Sequence, residues 1–245
     1  DDWMLTPPHD ISGRRIGEYL PRGKEAAVLL QLMEKSNKIL SDHPVNLRRI
    51  EKGLNPANSI WIWGDGRKPQ IPLFRDKYGL EGAVISAVDL IKGLGLIAGL
   101  NPIEIDGATG DIDTNFEGKV AAAMEALHQG KDFIYLHIEA PDECSHRFEA
   151  ENKIKAIELI DQRILKVIRE ELERSGFDFS IMLVTDHATP LSLGTHTSEA
   201  VPFAIYRSGS VGSNAAQTYD EVSAAATGKL IQDGFRLMDL FLERD

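Results

Sequence analysis

The sequence has little cysteine and a shortage of positive charge. Its single cysteine, Cys144, excludes an internal disulfide and fits a reducing compartment such as the cytoplasm. The 27 lysines and arginines face 38 aspartates and glutamates, a formal net charge of −11 without a basic patch, so we expect neither nucleic acid nor an anionic membrane as a partner. No apolar run approaches the roughly 18 residues of a membrane-spanning helix, and no signal-peptide pattern is present.

The pattern of apolar and polar residues changes after the first 58 residues of the chain. Apolar residues at three- and four-residue spacing predict an amphipathic helix over residues 24–42, followed by a linker over 43–58. From residue 59 onward, short apolar segments alternate with helical patterns, which is typical of an α/β sheet with crossover connections. The predicted strands are SIWIWG (59–64), AVISA (83–87), IEID (103–106), FIYLHIEA (133–140), SIMLVTD (180–186) and PFAIYR (202–207). The predicted helices of this part are 88–99, 115–129, 147–174 and 218–233.

In such sheets the ligand-binding and catalytic residues usually lie beyond the carboxyl ends of the strands. The segment HIEAPDECSH (137–146) is at such a position. Asp142 and His146 are one helical turn apart, a spacing that suits zinc or a divalent transition metal. The alternative for Asp142 is a helix N-cap. Cys144 could be a nucleophile, but its acidic neighbours disfavour a thiolate. His137 fits a half-buried, hydrogen-bonded residue better than a ligand.

Asp186 and His187 close the apolar run IMLVT, and His196 follows in the loop GTHTSEAVPF. Adjacent side chains on extended backbone point in opposite directions, so we expect Asp186 and His187 to serve two metals, or a metal and a substrate, rather than one ion. A turn-bound aspartate and solvated histidines are the alternatives. Together with Asp142 and His146, these residues are about the number that part of a two-metal site needs.

The segment GDGRKP (64–69) combines flexible glycines with Arg67 and Lys68, which suits the binding of a phosphate. A solvated turn is the alternative. Lys92 follows a predicted strand and could reach the same anion, although a lysine on an exposed helix face is commoner. No GxxxxGK[ST] nucleotide loop is present, and GLGLIAG (93–99) is too apolar to replace it.

Several longer motifs occur together in this chain: TPPHDISG, PANSIWIWGDGRKP, GAVISAVDLIKGLGLIAGL, GATGDIDTNFEGK, HIEAPDECSH, TDHATP and THTSEAVPF. In these motifs the chain resembles the archaeal-type, cofactor-independent (2,3-bisphosphoglycerate-independent) phosphoglycerate mutases of the alkaline phosphatase superfamily. Bacterial members of that group are often labelled proposed homoserine kinases, a label that would require a nucleotide site. The resemblance runs through nearly the whole chain and implies an alkaline-phosphatase-like α/β sheet sandwiched by helices.

The resemblance also implies two divalent metal ions, manganese or zinc with magnesium as a further candidate, and no 2,3-bisphosphoglycerate. Asp142, His146 and His196 match the set that holds one ion, whereas Asp186 and His187 match half of the second set. The remaining aspartate ligand and the nucleophilic serine, which would form a phosphoserine while 3-phosphoglycerate and 2-phosphoglycerate interconvert, have no matching motif here. No catalytic nucleophile is therefore assigned within this chain.

This departure, together with a start at Asp1 rather than methionine, leads us to expect a C-terminal fragment that is inactive alone. Residues 1–55 would be the end of an inserted lid domain, and residues 56–245 most of the metal-binding core. The alternatives are a metal-dependent phosphohydrolase or another phosphotransferase of the same superfamily, and a catalytically inert metal-binding fragment. The sequence leaves the oligomeric state open.

Overall fold

The computed structural model describes residues 3–210 and 216–242, and the chain divides into two compact units after Lys68. The helices are α1 (Ala26–Leu40), α2 (Pro44–Glu51), α3 (Phe74–Tyr78), α4 (Asp89–Ile97), α5 (Phe116–His128), α6 (Ala140–His146), α7 (Ala150–Ile160), α8 (Lys166–Ser175), α9 (Glu221–Ala226) and α10 (Leu237–Leu242). The strands are β1 (Gly82–Ile85), β2 (Asn101–Ile103), β3 (Phe133–Leu136), β4 (Ser180–Val184) and β5 (Phe203–Arg207). Short 3-10 turns occupy Pro8–Ile11, Ile16–Tyr19 and Gly234–Arg236, and a π-helical turn, Asp161–Leu165, joins α7 to α8.

The first unit contains the predicted helix at 24–42, seen as α1, but the predicted strand 59–64 is absent and that segment is irregular. Its backbone bonds to side chains instead of to a neighbouring strand, since Ile60 N donates to Ser36 Oγ at 3.0 Å. The predicted linker also contains α2. Asn46 of α2 is buried, and its side-chain amide donates to the carbonyls of Leu40 and Ala57.

The second unit contains a strand at or beside each of the other five predicted positions, which confirms the α/β class. The strand predicted at 103–106 lies instead at Asn101–Ile103, and the strands predicted at 133–140 and 180–186 end earlier, at Leu136 and Val184. Strand β1 lies between β2 and β3 in a parallel sheet, and all four of its residues are buried, as expected of a strand covered on both faces. Helices α4 and α5 make the crossover connections. Strands β4 and β5 pair with each other in an antiparallel sheet, so the described strands form two sheets rather than one.

The long helix predicted over 147–174 is confirmed as a helical stretch over residues 150–175 that contains one π-helical turn. Helix α6 ends at His146, a short turn follows, and α7, the π-helical turn and α8 then form a continuous stretch. Buried Phe116, Val120 and Met124 of α5 pack in one core cluster with Ile164 and Leu172 of that stretch. Within the predicted helix 218–233, only α9 is helical.

The two units separate after Lys68, whereas the sequence places its boundary near residue 55; the assignment of residues 1–55 to an inserted domain stays a prediction. Among the described residues, no helix combines the length and the apolar character needed to cross a membrane.

Candidate metal centre

Helix α6 presents Asp142 and His146 on one face, as their spacing predicts. The Asp142 Oδ2 and His146 Nε2 atoms lie 3.1 Å apart, and both side chains are largely buried. The helix begins directly after β3 and the short segment 137–139, and Pro141 occupies its first turn, where the missing N–H costs nothing. The end of the parallel strand β3 thus fixes the position of both side chains.

His196, which lies in the loop between β4 and β5, completes a three-residue group with Asp142 and His146. Its Nε2 lies 3.4 Å from Asp142 Oδ1 and 3.1 Å from His146 Nε2. The candidate ligand atoms of Asp142, His146 and His196 all lie within 4.8 Å of one another. One carboxylate and two imidazoles form a donor set that suits zinc or manganese, so the residues fit the metal that the sequence predicts.

Two contacts orient these ligands. His146 Nδ1 lies 2.9 Å from the Gly194 carbonyl oxygen, which can only accept a hydrogen bond. We therefore assign the proton to Nδ1, which leaves the Nε2 lone pair facing Asp142 and His196, as in metal-ligating histidines. The buried hydroxyl of Thr189 donates to Asp142 Oδ1 at 2.5 Å and fixes the carboxylate. Thr189 carried no signal in the sequence, because its partner is distant along the chain.

Asp186 and His187 lie beside this group. His187 Nδ1 is 3.3 Å from Thr189 Oγ1, and the rings of His187 and His196 are 3.7 Å apart between centroids. The expectation that Asp186 and His187 point apart is wrong, since His187 Nε2 and Asp186 Oδ2 are 3.3 Å apart. The reason is that β4 ends at Val184, so these two residues lie in a bend rather than on extended backbone.

A second acidic group shares Asp142 with Glu139 and Glu143, whose carboxylate oxygens satisfy the same 4.8 Å limit. Burial raises the pKa of the Glu139 carboxyl, and the negative charges of Glu143 and Asp142 raise it further. Glu139 also interacts electrostatically with Lys119 of α5, which is only 1% exposed. Burial lowers the pKa of this ammonium, while the charge of Glu139 opposes the shift.

Lys119 was missed by sequence reasoning although the sequence carried a signal. It follows Phe116 by three residues and precedes Ala123 by four, so the helical periodicity of α5 places a lysine on the buried face. A lysine there is rarely accommodated without a nearby negative charge. Such a position therefore marks a nearby acidic group.

The predicted phosphate-binding cations are placed differently. The Lys92 ammonium is 3.0 Å from Asp89 and 3.1 Å from Glu104, and hydrogen bonds to these two carboxylates raise its pKa. Two acids thus already neutralise Lys92. Arg67 and Lys68 are exposed at the end of the first unit, in an irregular segment rather than after a strand.

Cys144 and His137 occupy the roles that the sequence favours. Cys144 is fully buried in α6, and burial raises the pKa of its thiol, which opposes a nucleophilic thiolate. His137 is half-buried, its Nδ1 lies 3.2 Å from Ser86 Oγ, and burial lowers the pKa of its imidazole. In turn, Ser86 Oγ accepts a hydrogen bond from Val88 N.

Comparisons with known proteins confirm the resemblance seen in the sequence. Residues 28–242 match the Metalloenzyme superfamily, and residues 1–46 match the 2,3-bisphosphoglycerate-independent phosphoglycerate mutases. A probable mutase of that name from Geobacter sulfurreducens is 51% identical over 241 residues, which cover 98% of this chain and 60% of the relative. Its namesake from Methanothrix thermoacetophila is 50% identical over 98% of this chain and 61% of the relative.

A solved structure of the PH0037 protein from Pyrococcus horikoshii has a similar fold, with a TM-score of 0.65 and 31% identity over 82% of this chain and 52% of that one. The chain thus spans about three fifths of the length of the two sequence relatives.

Proposed function

Because the chain belongs to the Metalloenzyme superfamily, we propose that it supplies most of the metal centre of a 2,3-bisphosphoglycerate-independent phosphoglycerate mutase. The substrates would be 3-phosphoglycerate and 2-phosphoglycerate, handled in the cytoplasm. The names of the relatives at 50% and 51% identity support this assignment. The serine nucleophile and the remaining metal ligand would come from residues outside this chain, as the sequence resemblance implies.

The observation that carries the proposal is the convergence of Asp142, His146 and His196. These three residues would hold one manganese or zinc ion, and Asp186 and His187 would contribute to a second. When bound, the ions would supply positive charge that offsets the charge of a transferring phosphoryl group. Thr189 and the Gly194 carbonyl contact Asp142 and His146, and these contacts would orient both side chains toward the ion.

Three cationic side chains are candidates for binding the phosphate of the substrate. Arg67 and Lys68 are exposed side chains, and we propose that they bind the phosphate of the substrate. Lys92 is proposed for the same role, but it would have to exchange Asp89 or Glu104 for the phosphate.

The test is an assay of the complete gene product that contains these residues, with 3-phosphoglycerate and added manganese or zinc. Formation of 2-phosphoglycerate without inorganic phosphate supports a mutase, whereas phosphate alone identifies a phosphohydrolase. The variant His196→Ala should abolish the reaction, because it removes a ligand. His128→Ala, which removes an exposed histidine of α5, is the matched control and should retain activity. Turnover unaffected by His196→Ala would contradict the proposed metal centre.

A further inference from the structure

Phe148, two residues after His146, has an unusual backbone conformation. Its φ angle is +60°, and it is the one non-glycine residue with positive φ in the described part of the chain. Phe148 N donates to Ser145 O at 3.0 Å and Glu149 N donates to Cys144 O at 2.8 Å, the two bonds of a Schellman motif that ends α6. Glycine is the usual residue at this position because a Cβ is unfavourable there.

Helices α4 and α5 of the second unit end with the same pair of bonds and with the expected residue. Gly99 follows α4 and Gly130 follows α5, with φ angles of 79° and 93°. The chain thus uses glycine where only a helix end is required. At the end of α6 it retains a phenylalanine in a conformation that disfavours it, so the aromatic ring is expected to have a separate role.

The ring of Phe148 lies against Gly194 in the loop that carries His196. A Cβ built on Gly194 would be 2.4 Å from Phe148 Cζ and 2.8 Å from Cε1, so the ring occupies the space of a side chain. The Gly194 carbonyl is the group that contacts His146 Nδ1. The Phe148 ring is therefore in contact with the residue that orients one ligand and lies two positions before another.

We propose that Phe148 is a positioning residue that holds the 190–196 loop against α6 and thereby sets the geometry of His146 and His196 for metal binding. This inference rests on the metal centre assigned under the proposed function. Glycine at position 148 would complete the helix end without strain, but it would leave the loop without the ring that covers Gly194.

The experiment measures the Zn²⁺ affinity of the chain by competition with a chromophoric chelator, together with its melting temperature without metal. Phe148→Gly should weaken Zn²⁺ binding by about 10- to 100-fold, the usual effect of losing a residue that orients a ligand. Its melting temperature should not fall, because the substitution relieves an unfavourable backbone conformation. Phe148→Tyr keeps the ring and should restore the affinity. Phe235→Gly, at a phenylalanine that is 75% exposed, is the matched control and should bind Zn²⁺ as the parent does.

A double-mutant cycle tests the contact itself. Gly194→Ala should weaken Zn²⁺ binding strongly when Phe148 is present, because the new Cβ meets the ring; the strain of alanine at the Gly194 φ of +64° is common to both backgrounds and cancels in the cycle. The same substitution should cost less in the Phe148→Gly background, since the obstructing ring is gone.

Equal affinity of the parent and Phe148→Gly, or strictly additive effects in the cycle, would overturn the role of Phe148 while leaving the metal centre intact. A parent that binds no Zn²⁺ would overturn the metal centre, and the role of Phe148 with it.

Discussion

Asp142→Asn is the substitution that tests the candidate metal centre most directly. Asp142 belongs both to the group with His146 and His196 and to the acidic group with Glu139 and Glu143. Asparagine keeps the shape of the side chain and can still accept the hydrogen bond from Thr189, but it removes the negative charge. We therefore expect Asp142→Asn to abolish metal binding while changing the metal-free protein little.

The size of the effect follows from linkage between binding and folding. An ion present at about 100 times its Kd stabilises the folded state by about 2.7 kcal/mol. In a chain of this size, each kcal/mol of stabilisation raises Tm by roughly 2–4 °C. The bound ion should therefore raise Tm by about 5–11 °C. We expect that rise in the parent and its absence in Asp142→Asn. Without metal, the hydrogen bond from Thr189 becomes a weaker, uncharged one, which should change the free energy of unfolding by only about 1 kcal/mol.

The assay is thermal unfolding with Zn²⁺ or Mn²⁺ and again with a chelator. Two further variants decide which group of ligands is used. His196→Ala should lose the metal-dependent rise in Tm, whereas Glu143→Gln should keep it. The opposite pattern would show that the three carboxylates bind the ion instead. A full rise in Asp142→Asn would refute both groups.

Two further predictions concern packing and charge. Gly95→Ala should lower the free energy of unfolding in urea by about 1–3 kcal/mol, because its Cβ would lie 2.5 Å from Val84 Cγ1. Gly93→Ala on the same helix meets no atom within 4 Å and should be neutral or stabilising, so equal losses would contradict this reasoning. For Lys119, burial lowers the pKa of the folded state below 10.5, so the unfolded chain holds more protons and stability rises with pH between the two pKa values. Urea titrations from pH 7 to above pH 10 should show this rise in the parent and in Lys155→Met, an exposed control, but not in Lys119→Met.

The strands and helices that could be predicted are those in which burial determines the order of apolar and polar residues. Strand β1 is buried on both faces and reads as a continuous apolar run, and the spacing of Asp142 and His146 defines one face of a helix wherever that helix lies. The segment 59–64 is equally apolar, but a strand needs a neighbouring strand. Here the backbone of Ile60 is satisfied by the hydroxyl of Ser36, a contact that no local pattern reveals.

The start of helix α2 had a local signal in the sequence that was overlooked. Helix α2 begins with Pro44 after His43, whose side chain accepts a hydrogen bond from Val45 N, and proline at this position is typical of a helix start.

The end of α6 at residues 147–149 could not be predicted, because phenylalanine is not a usual residue for a left-handed helix end. The contact of Thr189 with Asp142 depends on tertiary structure alone.

The candidate ligands come from segments that follow different sheets, since α6 follows β3 whereas His196 lies between β4 and β5. Fifty residues separate His146 from His196, so a shared ion would act as a cross-link that closes a long loop. Metal affinity would then report on the folding of both sheets at once. A substitution that loosens the pairing of β4 with β5 would weaken metal binding through His196, even if it lies far from every ligand.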